Sequence, residues 1–213
     1  MVRTALLSAT LVAAAYAGAV WLTHDFQVWT AEGARRLEVA LQPVATPNAQ
    51  VDGPGLPARP LSQLLADGRS VTLVDFVYTR CQTVCLTLGS VYQQLQAQLQ
   101  AHSPADRAAH PVQLLSISLD APYDRVPVLQ AYAVRLGADP QLWRIVRVPD
   151  AQQFRRLLAA FQVVVVPNGR GELEHNAALL VLDRHGRLVR VFDYADQQLA
   201  FNYAHDLAGR SAP

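Results

Sequence analysis

The sequence is poor in cysteine. Among 213 residues there are two, Cys81 and Cys85. Two thiols make at most one pair, and a domain of this size does not need a covalent staple to fold. Excess charge is lacking too: 18 basic and 17 acidic residues leave a formal net charge of +1. No run of five basic residues occurs, so the chain carries no electrostatic footprint for nucleic acid. The pairs Arg35-Arg36 and Arg155-Arg156 read as solvated helix faces. No segment repeats, which sets aside solenoid and propeller architectures.

What is present is apolar. Hydrophobic residues make up 51% of the chain, enough for a sizeable core. The length suggests one globular domain with something added. The addition is N-terminal. From Thr4 to Thr23 run 20 uncharged residues, mostly Ala, Leu and Val. A helix of about 20 such residues spans a bilayer core. Arg3 precedes the run and Asp25 follows it, so the positive-inside rule predicts a cytoplasmic N-terminus and an external domain. Trp21, Phe26 and Trp29 suit the outer interface. Ala15-Tyr16-Ala17 offers the alternative of a cleaved signal peptide. The run continues past that site, which predicts an uncleaved, single-pass anchor. Both readings place the domain in an oxidising, extracytoplasmic space.

The expected organisation has three parts: a membrane anchor at 1–23, a juxtamembrane helix and Pro-rich linker at 24–54, and a folded domain at 55–213. Thr30 is the expected cap of the juxtamembrane helix. Residues 42–60 hold five prolines and two glycines and read as a loop. Beyond them, "SVTLVDFVY" (70–78) reads as a buried central strand. Residues 85–101 place Leu88, Val91, Tyr92, Leu95 and Leu99 at helical spacing. "PVQLLSISLD" (111–120) is a second buried strand. Helices are expected at 124–137, with Pro127 in the first turn and Gly137 as C-cap, and at 150–163, capped by Asp150. Residues 177–194 read as a β-hairpin turning at Asp183-Arg184-His185-Gly186. A closing helix is expected at 196–209. A parallel pair joined by a helix, followed by an antiparallel hairpin, predicts an α/β, thioredoxin-like mixed sheet flanked by helices.

Both cysteines then fall where a central strand gives way to a helix. Unpaired N–H groups and the positive end of the helix dipole favour thiolates there. Three roles are compatible with Cys81-x-x-x-Cys85. A structural disulfide would close a very small loop and gain little. A dithiol redox centre would resemble C-x-x-C chemistry with one extra residue. A metal site would clasp a soft ion between two thiolates and needs a histidine at the same end of the sheet. His24 lies beside the anchor. His102 and His110 flank a Ser/Pro/Asp/Ala loop and read as solvated. His185 sits in the hairpin turn, and a surface place is expected for His205 in the last helix. His175 follows a polar loop and immediately precedes an apolar strand.

"DFVYTRCQTVC" before an amphipathic helix, the N-terminal anchor, and "EHNAALLVLDRHGRLVRVF" together resemble the Sco/SenC family of copper-binding cytochrome c oxidase assembly proteins. "SLDAPYDRVPVLQAYAVRLG" and "FRRLLAAFQVVVVP" extend the resemblance across roughly residues 55–208. It implies a membrane-tethered thioredoxin-like domain with Cys81, Cys85 and His175 as ligands of Cu(I) or Cu(II). It implies Asp120 as an acidic residue near the site. Leu86 stands where the family usually has proline, and the Asp120 stretch is one residue longer than the family pattern. The implied role is delivery of copper to the dinuclear copper centre of a haem–copper oxidase, with a thiol reductant protein as a further partner and no substrate turned over. The alternative is an exported thiol–disulfide reductase acting on the acceptor's copper-ligand cysteines through Cys81 and Cys85. A copper-sensing role is a third class. A peroxiredoxin-like role fits less well, because Thr79 stands at the wrong spacing from Cys81.

Overall fold

The computed structural model describes residues 2–23, 25–26, 28–80, 84–167, 173–176 and 178–210, with the backbone alone at 84–89 and 174. The chain divides into two units, residues 1–42 and 43–213.

The first unit holds two helices. α1 (Val2–Leu22) is long and apolar enough to cross a membrane, and none of its residues is buried. Its 21 residues give about 32 Å of helix, close to the hydrocarbon thickness of a bilayer. Asp25 and Phe26 both take left-handed backbone angles and end it. α2 (Ala31–Leu41) starts as expected at Thr30, whose hydroxyl accepts the Gly33 N–H. Glu32 pairs with Arg35 and Arg36 on its first turn.

The second unit begins inside the stretch expected to be linker. β1 (Val44–Ala45) and β2 (Gln50–Gly53) are strands, so much of that stretch belongs to folded structure. β2 pairs with β3 (Leu56–Pro60), and Gly53 lets it approach the main chain of Ile145. A short α3 (Ser62–Leu65) leads to β4 (Val71–Val77), all seven residues of which are buried. α4 (Val84–Ala101) follows, then a short α5 (Pro104–Ala109) where a loop was expected. Ser103 caps α5 by accepting the Asp106 N–H, and Pro104 presets its first turn. β5 (Val112–Ser118) lies parallel to β4.

α6 (Val126–Leu136) ends at Gly137 with φ +64°, as its glycine predicts. β6 (Trp143–Val146) pairs parallel to β5. Four residues around a tryptophan carry too little alternation to be recognised as a strand, and neither β6 nor α5 was expected. α7 (Ala151–Ala160) is capped by Asp150 through the Gln153 N–H. β7 (Val165–Pro167) and β8 (Leu173–His175) form a separate antiparallel pair. β9 (Leu179–Leu182) and β10 (Arg187–Phe192) are the expected hairpin. Asp183 pins its turn by accepting the His185 and Arg187 N–H groups, and Gly186 takes φ +70°. A 3-10 turn (Tyr194–Asp196) leads into α8 (Gln197–Gly209).

The main sheet runs β1-β10-β9-β4-β5-β6. Its β4–β5–β6 side is parallel and its β1–β10–β9–β4 side antiparallel, the mixed sheet expected. α4 and α8 pack together over the central strands. Gln93 and Gln96 of α4 donate to the Leu136 and Gly137 carbonyls and tie α6 alongside. Leu73, Phe76, Tyr92, Leu95, Leu114, Ile117 and Leu129 fill the centre of the core.

Candidate metal centre

β4 is mostly apolar and buried along its whole length, and it ends four residues before Cys81. At its end Tyr78 is buried, and Thr79 is held by Asp124. The Asp124 carboxylate is fully buried and accepts from the Thr79 N–H, the Thr79 hydroxyl and the Ser118 hydroxyl. It thereby joins the ends of the two central parallel strands. Asp124 was read in the sequence only as the start of a helix. An aspartate just before a helix, six residues after Ser118, was the only local signal, and it does not reveal the burial.

Asp120 lies two residues beyond Ser118, and its N–H donates to the Ser118 hydroxyl. It forms an ion pair with Arg80, the residue before Cys81. Asp120 holds the Arg80 guanidinium above its ordinary pKa, and the same group lies 4.3 Å from the centre of the Tyr123 ring. Asp120 therefore holds the residue that precedes Cys81.

Cys81 lies outside the described residues. Cys85 is in the first turn of α4, at the helix N-terminus where thiolates are favoured; its side chain is likewise outside the described set.

His175 ends β8, opposite Val165 of β7. Asn176 secures this hairpin: its side chain accepts the Val164 N–H and donates to the Gln162 carbonyl. Gln162 takes φ +52°, so the chain turns sharply out of α7 to reach β7. The Leu173 N–H donates to the Tyr78 hydroxyl at 3.1 Å. The strand bearing His175 is thus hydrogen-bonded to a residue three positions before Cys81. The His175 side chain is half-buried, and its Nε2 is buried without a partner among the described residues. Burial holds its imidazole below the usual histidine range, so it is neutral and able to ligate at neutral pH. A buried ring nitrogen with no partner among the described residues suits a metal ligand.

The other histidines fall elsewhere. His24 lies outside the described residues. His185 is in the β9–β10 turn. His102, His110 and His205, expected to be solvated, instead meet at the far end of α4.

A protein-family model described as SCO1/SenC matches residues 59–208. The chain belongs to the SCO1/SenC family. No curated protein matches it by sequence. Among solved structures, a SCO1/SenC family lipoprotein from Bacillus anthracis matches at 20% identity and TM-score 0.66, over 78% of this chain and 98% of that one. ScoI from Bradyrhizobium japonicum, with copper bound, matches at 20% identity and TM-score 0.61, over 76% and 99%. BsSco, a Sco family cytochrome c oxidase assembly protein in which a disulfide switch was identified, matches at 15% identity and TM-score 0.62, over 80% and 96%. These likenesses establish the shared SCO1/SenC fold.

Proposed function

We propose that this SCO1/SenC protein is a membrane-anchored copper chaperone. Cys81, Cys85 and His175 hold one copper ion and deliver it to the dinuclear copper centre of a haem–copper oxidase. The carrying observation is the hydrogen bond from Leu173 to Tyr78, which ties the His175 strand to a residue three positions before Cys81, together with the buried Nε2 of His175, which has no partner among the described residues. The donor set fits the cargo. Two thiolates satisfy Cu(I), and adding an imidazole also suits Cu(II). Asp124 and the Asp120–Arg80 pair position the loop. Copper leaves by exchange of these ligands for the acceptor's own thiolates. α1 is the anchor, with residues 1–23 in the membrane, the following segment tethering the domain, and the domain on the periplasmic side of the cytoplasmic membrane. A thiol reductant protein keeps Cys81 and Cys85 reduced, since a disulfide between them would remove both thiolates.

The test is anaerobic copper titration of the reduced protein. One copper ion per chain is expected. Cys81→Ser or Cys85→Ser should abolish tight binding. His175→Ala should weaken Cu(II) far more than Cu(I), since two thiolates alone hold Cu(I). An unchanged Cu(II) charge-transfer spectrum in His175→Ala would remove His175 from the site.

The thioredoxin-like fold and the disulfide switch in BsSco favour a second reading, reduction of the acceptor's disulfide. Two thiols here would become a disulfide as the acceptor's disulfide becomes two thiols. Apo, reduced protein mixed with oxidised acceptor separates the two. Fast reduction indifferent to His175→Ala supports the reductase, whereas copper-loaded protein metallating a reduced acceptor, impaired by His175→Ala, supports the chaperone.

A further inference from the structure

The end of α4 remote from the cysteines carries a second cluster of metal-ligating side chains. His102 follows α4, Asp106 lies on α5 and His205 on α8. Their ligand atoms all lie within 4.8 Å of one another. His102 Nδ1 and His205 Nε2 both meet the same oxygen of Asp106, the latter at 3.1 Å. The two imidazoles hold the Asp106 carboxyl below its usual range, so it is a carboxylate at neutral pH. His110 stacks on the His205 ring at 4.1 Å and 3°, and its Nδ1 meets the His205 carbonyl at 3.1 Å. Phe201 also packs against His102 and His205. Gly209 makes the room for His110, since a Cβ there would fall 2.3 Å from the ring. The orientation of His205 is therefore fixed from behind.

A cavity of about 540 Å³ opens beside the cluster, with Gln98, Gln198, Asn202 and Asp206 among its lining residues. It gives an ion a way in and leaves room for water to complete its coordination. Asp206 adds a second carboxylate on the rim. Cys85 and Ala101 are 16 residues apart on one helix, which puts the cluster roughly 24 Å from the cysteine end.

We infer that His102, Asp106 and His205 form a second metal site, distinct from the cysteine centre, for a borderline divalent cation of the Zn²⁺ or Cu²⁺ type. Two imidazoles and one carboxylate with open positions are the donor set such ions take, and the absence of sulfur disfavours Cu(I). Zinc–ligand bonds of about 2.0–2.2 Å place tetrahedral ligand atoms about 3.3 Å apart, near the spacing of His205 and Asp106. Binding replaces the two N–H···O contacts with metal–nitrogen bonds, each imidazole keeping one proton on its other nitrogen. The ion bridges α8 to the α4–α5 corner, so it should stabilise the fold by mass action.

The test uses the full chain without a polyhistidine tag, carrying Cys81→Ser, Cys85→Ser and His175→Ala so that the cysteine centre is removed. It is titrated with Zn²⁺ by calorimetry, and with Cu²⁺ followed by electron paramagnetic resonance. One Zn²⁺ per chain is expected, with a rise in Tm of roughly 5–10 °C at about 100 times Kd. The Cu²⁺ spectrum should show two coordinated nitrogens. His102→Ala or His205→Ala should weaken binding by about 100-fold or more. His205→Gln keeps a side-chain donor for Asp106 and guards against misfolding; it should also lose the metal while the metal-free protein keeps the parent's far-UV circular dichroism. No saturable Zn²⁺ or Cu²⁺ binding, or binding unchanged when both histidines are replaced, would overturn the inference. Neither result bears on copper at the cysteines.

Discussion

Asp75 is a carboxyl in the middle of β4, 1% exposed, opposite Ser116 of β5. Neither of its oxygens has a well-formed hydrogen bond among the described residues, although the Ser116 and Tyr92 hydroxyls lie near enough to lower its pKa somewhat. Burial dominates and pushes the pKa from 3.8 up to about 7. The folded state therefore holds a proton that the unfolded state releases between those values. Stability from this group is fully present below pH 3.8 and is lost as pH rises towards and through 7. The displacement of about 3 pH units corresponds to about 4 kcal/mol between pH 4 and pH 8, a large share of a typical domain's 5–15 kcal/mol. Asp75→Asn keeps the shape and removes the titration. The assay is urea unfolding at half-unit steps from pH 4.5 to 8, read by fluorescence. Replacing Trp21 and Trp29 with Phe leaves Trp143, whose indole N–H donates to Ser116 beside Asp75, as the sole tryptophan reporter. The quantity of interest is the stability difference between the parent protein and the Asp75→Asn variant. Half-buried, neutral His175 contributes in the opposite sense, losing stability as pH falls through its unfolded value, and cancels in the difference. Relative to the variant, the parent should lose about 1.4 kcal/mol per pH unit around pH 5–6. A difference that stays flat across this range would refute the assignment of a protonated, unpaired carboxyl.

Two further outcomes test the scaffold of the cysteine loop. Asp124→Ala leaves the Thr79 and Ser118 hydroxyls without their buried acceptor and should cost about 3 kcal/mol, seen as a fall in Tm of roughly 6–12 °C by calorimetry. Tyr78→Phe removes the acceptor of the Leu173 N–H; amide exchange at Leu173 should quicken about fivefold, for a loss of about 1 kcal/mol, and Cu(II) affinity should fall while Cu(I) affinity holds.

Much of the fold was legible because burial and chain chemistry are local. β4 is an almost continuous apolar run and β9 a continuous one, Thr30, Asp150 and Gly137 cap helices as their residue types require, and Asp183 with Gly186 dictates the hairpin turn. β6, α5 and the three strands inside the Pro-rich stretch at 42–60 were not legible. Their partners lie elsewhere along the chain: β1 against β10, Asp52 of β2 against Arg147, and β6 against β5. The cysteine pair stands out in the sequence, since two cysteines among 213 residues lie four apart at a strand-to-helix junction. The bond from Leu173 to Tyr78 spans 95 residues, and nothing local to either residue announces it.

The apolar first helix, the thioredoxin-like order of strands and helices, and the place of Cys85 at a helix start were determined by the sequence alone, because each follows from residue type and spacing within one element. Only the tertiary structure decided that Asp124 clamps Thr79, that His175 keeps a buried nitrogen with no partner among the described residues, and that His102 and His205, 103 positions apart, share one oxygen of Asp106. A side chain's pKa, pairing and ligating power depend on what the fold packs around it, and those neighbours are brought together from distant parts of the chain.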